Sequence, residues 1–451
     1  MKKLMVAAVS SGSGKTTIAL GLMNLLQKQG YKIQPYKVGP DYVDTEYHTR
    51  ITGKHSRNLD MFLVPNTDCL RSLFEKEAHQ ADICVIEGVM GLFDGLGVDK
   101  DYCSSAGIAK LLNCPVLLVV DGQSASTSVA AVVKGFANFD PEVNICGVLI
   151  NKVASETHYQ LIRKAVEKYT DIPVFGYLKR EKGAELPSRQ LGLIPDRESK
   201  DATQKIQKIS ESLEKTFDFK RLVESLPEEE LSYKAPKYPH YPKITLAYAL
   251  DEAFHFYYQD NLELLSEYGV ELISFSPIRD HELPSADLYY FGGGYPEEFA
   301  ERLAENSSMR QSIKEKHEQG AFILAECGGL MYLGSSFKSG NEFYPMVGIF
   351  EGVSEMSSGL RKFGYCYGEI ERDTLIGKKG TVVVGHEFHH SVFNSQEPTV
   401  LKMTKKRDGE VIKEWAGGYQ KKNTFGSYLH LHFYQNESFL QNLLQQVRND
   451  L

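Results

Sequence analysis

Residues 10–17 read Ser-Ser-Gly-Ser-Gly-Lys-Thr-Thr, and this stretch decides the fold of the first half of the chain. It follows an apolar run at residues 4–10 and leads into a helical pattern that closes at Gly30. Glycines let backbone N–H groups curl around an anion, and a helix start adds partial positive charge. The order predicts a nucleotide phosphate loop, although the full pattern has glycine where this chain has Val9. The plainer interpretation is a glycine turn between strand and helix.

The residue types in this loop suit ATP with Mg²⁺. Lys15 is long enough to reach the β- and γ-phosphates, and the Thr16 hydroxyl is suited to ligate Mg²⁺. A later strand ends at Asn151, where guanine selection would need Asp at position 154, which is Ala154. GTP is therefore not supported, and Asn151 either contacts an adenine edge or caps its strand. The predicted ATP-binding residues are Gly12, Ser13, Gly14, Lys15, Thr16, Thr17 and Asn151.

Apolar, β-branched runs alternate with helical patterns through the first half of the chain, which predicts a parallel sheet covered on both faces. Prolines and charged residues at 226–243 read as a linker. Strand-like runs then resume, which predicts a second α/β domain. They lie at 244–250, 270–275, 288–291, 322–325, 346–350 and 381–384. The predicted organisation is a domain at 1–225, a linker at 226–243 and a domain at 244–451.

Acidic residues follow two of the early strands. Asp41 and Asp44 come after the second strand, Glu87 ends the third, and Asp94 follows it. Ligands of open parallel sheets collect at the carboxyl ends of strands, and Mg²⁺ takes oxygen ligands. We predict that Thr16, Asp41 and Glu87 hold Mg²⁺; any one acid alone would read better as a solvated loop residue.

A cysteine in the second half lies on a predicted sharp turn from strand to helix. Cys327 follows the apolar run at 322–325 and precedes two glycines, and the helix start is expected to lower the pKa of its thiol. The N–H groups of Gly328 and Gly293 are candidate oxyanion donors. His430 is the candidate base. A lone cysteine is more often a core residue, and a lone histidine is often simply packed.

The run His386-Glu387-Phe388-His389-His390 matches the zinc-protease pattern. That pattern binds zinc only on a helix, where residues four apart share a face. The preceding β-branched run predicts a strand, which would hold His386 and His390 about 13 Å apart, too far for one zinc ion.

Composition excludes several classes for this 451-residue chain. Its 51 basic and 59 acidic residues give a net charge of −8, which argues against a dedicated nucleic-acid binder. No apolar run approaches the roughly 18–20 residues that cross a bilayer. Seven cysteines without a Cys-x-x-Cys pair argue against a disulfide framework and predict a cytoplasmic protein.

A phosphate loop in one domain and a cysteine turn in the other resemble the cobyrinate a,c-diamide synthases along nearly the whole chain. Seven runs carry the resemblance. They lie at residues 11–17, 39–44, 87–94, 292–297, 327–332, 385–389 and 427–430.

The resemblance implies an N-terminal domain related to dethiobiotin synthetase and a C-terminal class I glutamine amidotransferase domain. Cys327 and His430 would release ammonia from L-glutamine. ATP would activate the a and c acetates of a tetrapyrrole as acyl phosphates. Ammonia would then reach them through an enclosed route between the domains. Asp44 and Asp94 are the candidates for orienting substrate or intermediate. Many class I members have an acid two residues after the histidine, where this chain has His432, so the third member of the triad is unassigned.

Rival interpretations share parts of this pattern. Hydrogenobyrinate a,c-diamide synthase, the nickel-sirohydrochlorin enzyme and cobyric acid synthase have the same architecture, although the loop sequence favours a,c-diamide enzymes over the last. A partitioning-type ATPase would have an early lysine where this chain has Ser10. A binding module with dead sites conflicts with intact Lys15, Cys327 and His430. The oligomeric state, a homodimer included, is left open.

Overall fold

The structure is a computed structural model that describes residues 1–180, 188–189, 192–193, 201–241, 243–357, 359 and 362–449. The chain divides into two compact units. The first comprises Met1–Met61 and Thr67–Ala235, and the second comprises Phe62–Asn66 and Pro236–Leu451. The predicted boundaries at 225 and 244 stay a prediction.

The first unit is built on a parallel sheet, as the sequence predicts. Its described strands are β1 (Lys2–Ala8), β2 (Ile33–Val38), β3 (Arg57–Leu59), β4 (Ile83–Glu87), β5 (Val116–Asp121), β6 (Ile145–Val153) and β7 (Val174–Lys179). They lie in the order β3-β2-β4-β1-β5-β6-β7, and every pairing is parallel. Strand β1 is therefore central, and the loop after it opens at the middle of the sheet's carboxyl edge. A two-residue antiparallel pair, β8 (Ser188–Arg189) and β9 (Gly192–Leu193), lies apart from this sheet.

Helices connect these strands and bury their apolar faces on the sheet. They are α1 (Lys15–Lys28), α2 (Val43–Thr52), α3 (Thr67–Ala78), α4 (Ser105–Leu111), α5 (Ser128–Phe139), α6 (Glu156–Tyr169), α7 (Ala202–Thr216) and α8 (Phe219–Ser225). Ser104 and Ser155 cap α4 and α6 by accepting from the backbone N–H three residues on, which satisfies a free donor of each first turn. Leu4 and Val6 of β1 share one buried cluster with Leu22 of α1 and Leu213 of α7.

The described residues of the second unit form three sheets. Its described strands are β10 (Thr245–Ala249), β11 (Glu271–Phe275), β12 (Leu288–Phe291), β13 (Phe322–Glu326), β14 (Ser336–Ser339), β15 (Glu342–Pro345), β16 (Gly352–Met356), β17 (Lys362–Ile370), β18 (Val382–His389), β19 (Ser391–Ser395), β20 (Leu401–Arg407), β21 (Glu410–Gly417), β22 (Tyr419–Lys421), β23 (Thr424–Ser427) and β24 (His430–Leu431). The sheet orders are β11-β10-β12-β13-β23-β22, β15-β14-β16-β19 and β21-β20-β17-β18-β24.

The first of these sheets is parallel except at its β22 edge. Successive side chains of a strand point to opposite faces, so neighbours along β13 enter different cores. Leu324 packs in one buried cluster and Ile323 in another. The helices are α9 (Gln259–Glu267), α10 (Ala300–Glu305), α11 (Ser307–Glu318), α12 (Gly328–Leu333) and α13 (Glu437–Asn449).

The predicted strand at residues 346–350 is wrong. The backbone is irregular there, and Gly348 takes a φ of 74°, which interrupts an extended strand. Val347 and Ile349 donate instead to Tyr332 and Leu333 of α12, so this apolar run is a buried loop. Among the described residues, no helix has the length and apolar character to cross a membrane.

Candidate active sites

The phosphate loop joins the central strand β1 to α1. Gly14 immediately precedes the helix with a φ of 90°, and Gly12 has a φ of 79°, both in the region that favours glycine. A Cβ on Gly14 would lie 2.2 Å from Nδ2 of Asn151. Glycine at position 14 is therefore required by both backbone angle and space.

Asn151 and Lys152 hold this loop from the end of β6. The Asn151 amide donates to the carbonyl of Ser13 at 2.8 Å, and its oxygen accepts from the Lys152 N–H at 2.9 Å. The Lys152 ammonium donates to the Gly12 carbonyl at 2.9 Å and pairs with Asp121 at 2.7 Å. The structure thus places Asn151 against the loop backbone; its predicted adenine contact stays a prediction.

Glu87 is the centre of a buried polar cluster at the end of β4. Its Oε1 accepts from the Thr16 hydroxyl at 2.5 Å and from the Lys37 ammonium at 2.8 Å. Its Oε2 lies 2.8 Å from Nε2 of His48. The Lys37 ammonium also pairs with Asp44 at 2.5 Å. The structure thus brings Thr16, Asp44 and Glu87 together around Lys37, and the predicted Mg²⁺ set of Thr16, Asp41 and Glu87 stays a prediction.

Burial and neighbouring charges together set the pKa values of the groups in this cluster. Burial alone would raise the pKa of Glu87, but the Lys37 charge and the His48 hydrogen bond outweigh it and hold that pKa below its usual range. Burial followed by the charge of Lys37 lowers the pKa of Lys15. Burial followed by the charge of Asp41 raises the pKa of Asp44 to about 8. Several ionisable groups therefore share one buried site, and the pKa of each depends on the charges of the others.

Asp41 lies at the margin of this cluster, and Asp94 lies in the loop after β4. Asp41 accepts from the N–H groups of Val43 and Asp44 at the start of α2, and its other oxygen lies 4.0 Å from the Lys37 ammonium. Asp94 is exposed and accepts from the Gly91 N–H at 2.9 Å. The cluster offers Mg²⁺ the oxygen donors that it prefers, with Thr16 and Glu87 already adjacent.

Lys37 and His48 are polar residues that the sequence analysis missed. The signal for Lys37 was a charged residue inside an otherwise buried strand, because lysine is almost never fully buried unless it is paired. The sequence contains no comparable signal for His48, which lies in the helix α2 and reaches Glu87 only in the folded unit.

Cys327 lies between β13 and α12, on the sharp turn that the sequence predicts. Its φ is 47°, a strained value for a residue other than glycine. Its N–H donates to the Ser427 carbonyl at 2.7 Å, which ties the turn to β23. A Cβ on Gly329 would lie 2.3 Å from the Phe291 carbonyl, so only glycine allows this close approach of α12 to β12.

The predicted oxyanion glycines lie around this turn. The Gly328 N–H is directed at the Cys327 sulfur and acts to lower its pKa. A Cβ on Gly293 would lie 2.4 Å from Cε1 of His430, so glycine there is needed for the imidazole to fit. Cys327, His430 and both glycines therefore belong to one neighbourhood of the second unit.

His430 is fully buried among aromatic rings. It stacks on His386 with a centroid distance of 4.8 Å and an interplanar angle of 16°. Its Nδ1 lies 3.8 Å from Oε2 of Glu326, the residue before the nucleophile. The other oxygen of Glu326 accepts from the Leu431 N–H at 3.2 Å. Glu326 thus has the position of an acid beside the histidine, and the sequence analysis missed it.

The buried environment shifts the pKa of each of these groups. Burial, followed by the charge of Glu297, raises the pKa of the Cys327 thiol, so the expected lowering by the helix start is wrong. Burial also lowers the pKa of His430, which favours a neutral imidazole that is able to take a proton. Burial raises the pKa of Glu326 to about 8. Thiolate formation here therefore depends on a neighbouring base.

The run from His386 to His389 lies in strand β18, as predicted. Tyr258 makes a 3.1 Å hydrogen bond with Nδ1 of His386, and His432 packs beside the same tyrosine. The helical geometry that a zinc-protease motif requires is therefore not present in this run.

Comparisons with known proteins assign both units. The sequence model of the CobQ/CobB/MinD/ParA nucleotide binding domain matches residues 4–194, and that of the CobB/CobQ-like glutamine amidotransferase domain matches residues 245–438. A cobyrinate a,c-diamide synthase of Listeria monocytogenes is 55% identical over 98% of this chain and 99% of that protein. Proteins of that name from Streptococcus sanguinis and Salmonella typhimurium are 54% and 48% identical, each over 99% of this chain and 99% and 98% of their own lengths.

A nucleotide-binding unit joined to an amidotransferase unit with a buried cysteine turn defines a glutamine-dependent amidotransferase ligase. The chain belongs to the cobyrinate a,c-diamide synthase family, whose members act in corrinoid biosynthesis. The amidotransferase match covers a part of the chain that a partitioning-type ATPase would leave unexplained.

Proposed function

We propose that this enzyme amidates the a and c acetate carboxylates of cobyrinate, with ATP and L-glutamine as co-substrates. The observation that supports the proposal is the presence of two candidate sites in one chain. One places Thr16 on Glu87 beside a phosphate loop, and the other surrounds Cys327 with glycine amides and His430. The names of the relatives support cobyrinate as the substrate.

In the amidotransferase site, the Cys327 sulfur attacks the side-chain amide carbon of glutamine while His430 takes the thiol proton. The tetrahedral oxyanion accepts from the N–H groups of Gly328 and Gly293. His430 then gives its proton to the leaving nitrogen, which departs as ammonia and leaves a γ-glutamyl thioester. Water hydrolyses the thioester, releases glutamate and restores the thiol.

Glu326 acts in this scheme as a positioning residue for His430. The carboxylate facing Nδ1 favours the tautomer with a proton on Nδ1, which leaves Nε2 free to accept the thiol proton. It also stabilises the imidazolium that proton transfer creates. This role fills the triad position that His432 does not supply.

In the synthetase site, a substrate carboxylate attacks the γ-phosphate of ATP, which releases ADP and forms an acyl phosphate. Ammonia then displaces phosphate from the acyl carbon and leaves the amide. Lys15 neutralises charge on the phosphates, and the loop amides hold them. Thr16, Glu87 and Asp41 would hold Mg²⁺, which supplies charge neutralisation for phosphoryl transfer. Lys37 keeps Glu87 ionised, and Asp44 and Asp94 orient the substrate or the acyl phosphate.

The experiment that tests the proposal supplies the purified full-length chain with ATP, Mg²⁺ and glutamine on three tetrapyrroles. Cobyrinate, hydrogenobyrinate and nickel-sirohydrochlorin are compared, and mass spectrometry follows replacement of carboxyl OH by NH₂. We expect two successive replacements on cobyrinate, each consuming one ATP. Faster amidation of hydrogenobyrinate or nickel-sirohydrochlorin would assign that substrate instead, and amidation of none would overturn the proposal.

A further inference from the structure

A cavity of about 320 Å³ lies in the second unit, beside the cysteine turn. Its wall includes Leu330 of α12 and Tyr428, and Tyr428 directly follows the serine whose carbonyl binds the Cys327 N–H. Its volume lies in the range of pockets for small molecules. Two residues of its wall, Glu387 and Tyr428, interact electrostatically with Cys327, so the cavity lies near the nucleophile.

Two hydrogen-bond acceptors face each other in the cavity wall. Nδ1 of His389 lies 2.7 Å from the Ser391 carbonyl, so this nitrogen donates, and in the neutral imidazole Nε2 is an acceptor. His389 is only 8% exposed, and its Nε2 is buried without a hydrogen-bond partner among the described residues. It lies 3.5 Å from Oε2 of Glu387, which is 3% exposed. When the imidazole is neutral, a donor bound between Nε2 and the Glu387 carboxylate satisfies both acceptors.

The ring of Tyr428 fixes the His389 imidazole in this orientation. The two rings stack with a centroid distance of 3.7 Å and an interplanar angle of 6°. The Tyr428 hydroxyl lies 3.0 Å from the Ser391 hydroxyl, within the same hydrogen-bonded group. The acceptor is therefore held rigidly.

Positive charge lies on the same cavity wall. The Lys362 ammonium lies 3.5 Å from the ring centroid of Trp415, and Lys413 also lines the cavity. Lys362 is directly opposite His389 in the pairing of β17 with β18. The cavity thus has the acceptors of Glu387 and His389 beside two lysines. This combination complements a zwitterion better than a simple cation.

We propose that this cavity binds the α-amino-acid group of glutamine. Glu387 and Nε2 of His389 accept from its ammonium, and Lys362 and Lys413 face its carboxylate, so that the side-chain amide extends toward Cys327. The inference rests on the proposed glutaminase chemistry and assigns a function to the His-Glu-Phe-His run.

The test compares glutamine with 4-carbamoylbutanoate, which is glutamine without its α-amino group, as substrates for hydrolysis by the full-length chain. Glu387→Gln removes the charge that the ammonium needs. We expect kcat/KM for glutamine to fall about 10- to 100-fold, as for loss of a hydrogen bond to a charged group, with little change for the analogue. Ammonium-dependent amidation should be unchanged. Equal losses on both substrates, or no loss on either, would overturn the assignment.

Glu414→Gln is the matched control, because it makes the same charge change on β21 between Lys413 and Trp415. Glu414 is exposed and pairs with Lys402, so its replacement should leave both substrates unaffected. Titration of glutamine into Cys327→Ser, with and without Glu387→Gln, measures binding without turnover. Tight binding that Glu387→Gln abolishes would support the cavity even if no tetrapyrrole were amidated, which separates this inference from the proposed function.

Discussion

The two candidate sites of this chain are both buried, yet they differ in the charge of their side chains. Around Glu87 the charge of Lys37 holds the pKa of the Glu87 carboxyl below its usual range, and the same ammonium pairs with Asp44, whose pKa burial raises to about 8. Around Cys327 burial keeps the groups neutral, because it raises the pKa of the thiol and lowers that of His430. A site for phosphates needs fixed charge, whereas a site for proton transfer needs a thiol and an imidazole close to their neutral forms.

The largest effect that this comparison predicts is the loss of glutamine use in Cys327→Ser. Because the neutral site works only through its nucleophile, we expect glutaminase activity to fall on the order of 10³-fold or more. Amidation with high ammonium should continue, since the charged site is untouched. Glutamate release and amide formation are measured separately. Cys69→Ser, in the other unit, is the control that should retain both activities, and glutamine-dependent amidation by Cys327→Ser would contradict the assignment.

Lys15→Ala tests the phosphate-binding site, and its loss should affect amidation with glutamine and with ammonium alike. Loss of one group that stabilises transition-state charge costs about 10²- to 10³-fold in rate, and amidation should fall by this amount with either nitrogen source. Lys28→Ala, at the other end of α1, should have little effect because Lys28 is exposed. Steady-state amide formation with ammonium provides the measurement. Unchanged turnover in Lys15→Ala would remove the phosphate-loop assignment.

Lys37→Met tests whether the ionised cluster also stabilises the fold. Without the ammonium, the buried Glu87 carboxylate loses its paired lysine and keeps only its contacts with Thr16 and His48, and breaking a buried ion pair costs about 3–5 kcal/mol. Urea unfolding followed by circular dichroism measures the loss. Trp415, the single tryptophan, lies in the other unit, so its fluorescence transition should move less.

The control for that measurement is Lys32→Met, at an exposed lysine just before the same strand. A surface change of this kind should alter the free energy of unfolding by no more than about 0.5 kcal/mol. Equal shifts for Lys37→Met and Lys32→Met would show that the cluster does not depend on its ammonium.

Local patterns predicted the parts of each site that lie on a strand-to-helix turn. The glycine-rich loop and the cysteine turn are continuous in sequence, and the structure confirms strand, turn and helix at both. The strand at His386 was also predictable, because the β-branched run before it opposes a helix. Residues 346–350 were misassigned because an apolar run does not reveal that Gly348 interrupts it.

Partners that meet only across the fold were beyond the sequence. Glu326 reaches His430 over more than a hundred residues, and the motif that usually marks the acid places a histidine at 432. The pKa of Cys327 shows a related failure. The Gly328 N–H at the helix start acts to lower the thiol pKa, but burial outweighs it, and the depth of burial is a property of the tertiary packing.

Glu326→Gln makes the smallest and most specific test of the neutral site. Its raised pKa of about 8 means that the carboxylate form increases as pH rises through that value. Because only the carboxylate favours a proton on Nδ1 of His430, glutaminase kcat/KM should rise with pH around 8 in the native chain. In Glu326→Gln that rise should disappear, and activity above pH 8 should fall about 10-fold while ammonium-dependent amidation is retained.

Glu326→Asp should restore part of the pH-dependent rise, which a purely structural role would not do. Glu271→Gln, at an exposed position on the edge strand β11, is the control and should keep the native pH profile. If Glu326→Gln lowered activity equally at every pH, the carboxyl would act through packing rather than through charge. The neutral site would then depend on the Cys327 and His430 pair alone, and its contrast with the ionised cluster around Glu87 would be complete.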